Sequence, residues 1–63
     1  MMNLKEFAKH VWPVIPIRIY NQYSKDRSDY YEVKAGDIAR DDGYSHLFVV
    51  DFTIWEDYID ILV

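Results

Sequence analysis

The side chains with most capacity for chemistry in this sequence are its eleven carboxylates, set against two histidines, His10 and His46, and no cysteine. Catalysis by a carboxylate pair needs two groups whose surroundings push their pKa values apart, and no spacing here singles out such a pair. Ser24, Ser28 and Ser45 lack the glycine-flanked turn of a nucleophile elbow. Ser45 beside His46 is no dyad, because neighbouring strand residues point to opposite faces. The stretch "DIARDDG" has the look of a calcium loop. Aligning Gly43 with that loop's glycine puts Ile38 at the first ligand position, and aligning Asp37 there puts Asp42 where the glycine belongs. Gly36 and Gly43 are the only glycines, too few for a phosphate-cradling loop. The expectation is a non-enzymatic protein with no metal and no cofactor.

Charge is then the remaining functional signal. Net charge is −4. Residues 1–34 carry six basic side chains against four acidic ones, whereas residues 35–63 carry Arg40 against seven acids. An acidic half repels phosphate and attracts a basic protein surface, so direct nucleic-acid binding is disfavoured and a basic protein partner is favoured. The closing stretch "DFTIWEDYIDILV" interleaves acids with aromatics. Asp51, Glu56, Asp57, Tyr58 and Asp60 are the candidate partner-binding residues, since tyrosine supplies contact area at low entropic cost and acids steer a basic partner. The simpler reading is that they form the wet side of a sheet and keep an aromatic-rich domain soluble.

Whether Asp51 and Asp60 can act together depends on the elements that carry them. A helix after Thr53 would place the acids on a solvated stripe. Two strands around a Glu56-Asp57 turn would put Val50, Phe52, Ile54, Ile59, Ile61 and Val63 on the core face, and Asp51, Thr53, Tyr58 and Asp60 on the other. Periodicity fits both. Residues 48–63 are rich in Val, Ile, Thr and aromatics and hold no Ala, Lys, Gln or Arg, which favours strands.

Upstream, Asn3 and Glu6 mark a helix start, with Leu4, Phe7, Ala8 and Val11 on one face. That helix, about residues 3–11, should stop before Pro13. "VIPIRIY" alternates as a strand that Pro16 begins or places on an edge. The polar stretch 21–29 makes a hairpin loop to a second strand carrying Tyr31 and Val33. Asp37 is expected to cap a single helical turn, "IARDD", ended by Gly43 in the left-handed conformation.

Sixty-three residues make one small domain, whose single core leaves about 3–5 kcal/mol of net stability. Without cysteine, and with only two histidines, disulfide scaffolds and zinc fingers are excluded. A dense aromatic core or a partner chain must compensate, and a homodimer is one such route. "MMNLKEFAKH" is interrupted by Lys5, Glu6 and Lys9, unlike a signal peptide, and "VWPVIPI" is far too short to span a bilayer. A cytoplasmic, membrane-free protein is expected.

The arrangement "LKEFAKHV…PIRIY…YYEVKAGDI…VVDFTIWEDYIDILV" resembles the small acidic orphan proteins of phages, prophages and other mobile elements. That resemblance implies an anti-defence factor of the anti-CRISPR kind, acting in the host bacterial cell by blocking a basic, nucleic-acid-binding surface of an effector. The combined expectation is an α+β fold, an N-terminal helix packed on a three- to four-stranded antiparallel sheet. Leu4, Phe7 and Val11 would cover Ile17, Ile19, Val33, Val50, Phe52, Ile59 and Ile61. The alternative function is a self-assembling structural or accessory phage protein.

Overall fold

In the computed structural model, which describes residues 2–24, 26 and 28–63, the chain folds as a small α+β domain with two helices on a four-stranded mixed sheet. Met1, Lys25 and Arg27, the last two among the six bases of residues 1–34, lie outside the described residues.

Helix α1 runs Leu4–Lys9. The Asn3 side chain accepts from the Glu6 amide at 2.8 Å, satisfying one of the free donors of the first turn. At the other end the Val11 amide reaches back to the Ala8 carbonyl, and Pro13 follows, so the helix closes slightly earlier than its apolar spacing suggests. Strand β1, Pro16–Tyr20, begins on its proline. The Tyr20 carbonyl accepts from the Val63 amide, so even-numbered residues of β1 turn towards the C-terminal strand. The missing Pro16 N–H points the same way, but that pairing begins only at Ile17, so no ladder bond is lost.

Strand β2, Tyr30–Lys34, passes straight into helix α2, Ala35–Arg40, with no intervening loop. This corrects the expected turn capped by Asp37. Ala35 and Ile38, three apart on one face, are buried, and burial of that face starts the helix at the end of the strand. Lys34 stands at the cap position without a side-chain cap, and the Asp37 carboxylate accepts from Arg40 instead. A 3₁₀ turn, Asp42–His46, follows, capped by Asp41, whose side chain accepts from the Gly43 amide at 2.9 Å. No described residue has positive φ, so Gly43 ends nothing by a left-handed conformation.

The closing segment forms two strands, β3 (Asp51–Ile54) and β4 (Ile59–Leu62), joined around Glu56-Asp57. The sheet order is β2-β1-β4-β3. β1 pairs antiparallel with β2 and parallel with β4, so the sheet is not antiparallel throughout. The intervening segment, with α2 and the 3₁₀ turn, carries the chain across between the two hairpins, as parallel neighbours require.

The buried core is Leu4 and Ala8 of α1, Ala35 and Ile38 of α2, Ile17 and Ile19 of β1, and Ile59 and Ile61 of β4. The cover over the sheet is therefore shared between two helices. Phe52 and Ile54, expected on the core face, remain half exposed or more because β3 is an edge strand, and so does Val50 just before it. Phe52 still meets Phe7 of α1, ring centroids 5.1 Å apart. Among the described residues, no helix is long and apolar enough to cross a membrane.

Candidate functional site: an acidic groove on the open face of the sheet

The helices lie on the side of the sheet to which Ile17, Ile19, Ile59 and Ile61 point, and the other side is open. Alternation and register set what stands there. Arg18 of β1 lies beside Glu32 of β2 and Asp60 of β4, and Asp60 lies beside Thr53 of β3.

Arg18 is committed within this face. Its Nε donates to Glu32 Oε1 at 3.2 Å, and its guanidinium sits 4.2 Å from the centre of the Tyr58 ring and 5.1 Å from that of Tyr30. The hydrogen bond to Glu32 holds the Arg18 pKa above its ordinary value. Tyr20 and Tyr30 extend the aromatic surface, ring centroids 5.1 Å apart.

Beyond this cluster lies a groove of about 510 Å³. Thr53, Asp60 and Leu62 line it along β3 and β4, and Asp51, Tyr20 and Trp55 line it further. The β1–β2 loop brings Asp26 and Asp29 to the same groove, so four carboxylates line it and no described basic side chain does. The Asp26 carboxyl is held below the usual range, first by the Ser28 hydroxyl donating at 2.7 Å and then by the Ser28 amide at 2.9 Å. It therefore keeps its negative charge further into acid.

Asp60 is the residue with an unfilled requirement. Trp55 Nε1 donates to its Oδ2 at 2.9 Å, while its Oδ1 is shielded from solvent with no partner among the described residues. A carboxylate oxygen cut off from water without a donor costs about 1–3 kcal/mol or more.

The five candidate residues thus do not stand together. Asp51 and Asp60 line the groove, and Tyr58 covers Arg18. Glu56 and Asp57 sit at the exposed β3–β4 turn, the opposite end of the hairpin from Asp51, outside the groove. Sequence reasoning missed Asp26, Asp29 and Trp55. Asp26 carried one signal, the Ser24-x-Asp26-x-Ser28 spacing that lets a side chain hydrogen-bond two residues on. Nothing in the sequence showed that this loop folds against β3 and β4. Among the described residues, no group of three or more His, Asp or Glu side chains has metal-binding geometry.

Neither a family model, nor a curated protein, nor a solved structure matches this chain. The functional reading therefore rests on the groove itself.

Proposed function

We propose that this chain is a non-enzymatic protein-binding inhibitor that docks a basic surface of a partner protein into the acidic groove. The observation that carries the reading is that Asp26, Asp29, Asp51 and Asp60 line one groove together with Tyr20 and Trp55, with no described basic side chain among them. A lysine or arginine side chain has the charge for the four carboxylates and a stem to lie along the aromatic walls. The resemblance to mobile-element orphan proteins supplies the partner class, a nucleic-acid-binding effector of bacterial defence in the host cytoplasm, with the groove covering the surface that would otherwise hold phosphate.

The test compares two variants on captured effector. Asp51→Asn with Asp60→Asn empties the groove of half its charge, whereas Glu56→Gln with Asp57→Asn neutralises the turn alone. Removing one side of a buried charge pair costs about 2–5 kcal/mol, so the groove variant loses at least tenfold in affinity, and the turn variant changes chiefly the association rate. Wild-type binding weakens with salt, and the bound effector no longer retains nucleic acid. Full affinity in a folded groove variant would refute the reading.

A further inference from the structure

The two edges of the sheet differ in whether they can accept another strand. On β3, the Val50 amide donates to the Leu62 carbonyl at 2.8 Å although Leu62 already stands opposite Asp51, so two residues face one, as in a β-bulge. The Trp55 amide donates to the Tyr58 carbonyl, which turns Asp51, Thr53 and Trp55 towards β4 and leaves the Phe52 and Ile54 amides facing outward. The Phe52 amide is then taken by the Asp51 carboxylate at 2.8 Å. A bulge, a blocked donor and a charged side chain are the devices that keep an edge from pairing.

On β2, which carries Glu32 and Lys34, there is neither a bulge nor a described side chain that takes an outward amide. The Ala35 amide donates to the Ile15 carbonyl at 2.9 Å, continuing the register in which Val33 faces Ile17 and Tyr31 faces Ile19. Tyr30, Glu32 and Lys34 therefore turn their backbone groups outward, and no described residue bonds the amides of Tyr30 or Glu32. Tyr31 is 76% exposed.

We propose that this edge pairs with the same edge of a second copy, antiparallel, about a twofold axis at Tyr31. The register follows from what the edge can tolerate. Centring the axis on Glu32 would set Glu32 against itself, and would ask a hydrogen bond of the Lys34 carbonyl, which at the cap position serves the first turn of α2. Centring it on Tyr31 places Tyr30 opposite Glu32 of the second copy, twice over, so that the outward backbone groups of both residues are satisfied. It also sets the two Tyr31 rings side by side at the close, non-hydrogen-bonded position, on the helix side of the sheet.

The result is one eight-stranded sheet with the axis normal to it, so both acidic grooves open on the same face. Five strand spacings separate β4 from its counterpart, about 24 Å. The inference concerns a different surface from the docking groove and does not depend on it, but if both hold, the assembly is bivalent for basic sites at that separation.

Tyr31 is exposed, so it can be changed without touching the core. Light scattering and sedimentation of the wild type should show a dimer that forms with concentration. Tyr31→Lys and Tyr31→Glu should each be monomeric, with unchanged circular dichroism, and their equimolar mixture should regain the dimer. Tyr31→Cys, the sole thiol in the chain, should cross-link to itself on mild oxidation. A wild type still monomeric at millimolar concentration would overturn the proposal. So would a dimer indifferent to the charge at residue 31, or one that Tyr31→Cys cannot cross-link.

Discussion

Gly36→Ala sets two opposed effects against each other within the first turn of α2. In an open helix the change stabilises by up to about 1 kcal/mol, through the lower entropy of the unfolded chain and the higher helix propensity of alanine. Here the added methyl would lie 2.8 Å from the Pro13 Cβ, 3.2 Å from the Pro13 carbonyl oxygen and 3.3 Å from the Pro13 Cα. Ordinary carbon contacts fall at about 3.5–4.0 Å. None of the three atoms can swing away, and the Gly36 amide pins the same carbonyl at 3.0 Å. Forcing a methyl into such a contact costs about 1–3 kcal/mol, so the net change is a loss of about 1 kcal/mol. A urea slope of about 1 kcal/mol/M moves the unfolding midpoint down by about 1 M. Gly43→Ala is the control: its nearest obstacle is the Asp41 Oδ1 at 3.1 Å, the end of a side chain that can shift, and its φ is not positive. That change stays within about 0.5 kcal/mol. A midpoint that rises in Gly36→Ala would refute the reasoning and show that the segment around Pro13 does not rest firmly on α2.

Two further outcomes are accessible to the same titrations. Ile61 is fully buried on β4, one of the two inner strands, so Ile61→Val should cost about 0.5–1.5 kcal/mol, while Ile61→Ala, at about 2–5 kcal/mol, should leave little or no folded protein by circular dichroism. Lys5 holds the Asp42 carboxyl below its ordinary 3.8, and Ser28 does the same for Asp26. A carboxyl lowered in the folded state contributes stability that is complete above its unfolded pKa and disappears as pH falls through the folded value. Stability should therefore decline below about pH 4, and more gently in Asp42→Asn. An identical acid limb in that variant would count against the Lys5 contact.

Much of the fold was legible where local chemistry decides it. Asn3 starts α1, Pro16 opens β1, and the Val, Ile and aromatic content of residues 48–63 selects strands although periodicity alone allowed a helix. The parallel pairing of β1 with β4 was not legible, because it depends on how the chain crosses between the two hairpins. The same long-range fact explains the exposure of Phe52 and Ile54: their alternation matches a buried strand, but β3 lies at the margin of the sheet. Asp37 read as a helix cap because a loop was expected before it, and β2 runs into α2 without one. In the groove, the shared face of Asp51 and Asp60 followed from strand alternation, whereas Asp26 and Asp29 arrive by a loop whose path no local pattern encodes.

The parallel β1–β4 seam also has a kinetic side. Ile17 and Ile59 are neighbours with most of the chain between them, while each is joined to its other partner strand by a short connection. Closing that seam costs loop entropy before it yields burial, and a lone two-stranded hairpin is marginal in water. Topology predicts that the two hairpins form and dissolve quickly on their own, and that the slow event is their meeting, when Ile17, Ile19, Ile59 and Ile61 lose contact with water together. A cleavage between them would leave the β3–β4 hairpin, which carries only Ile59 and Ile61 of the buried core, unable to hold its structure alone.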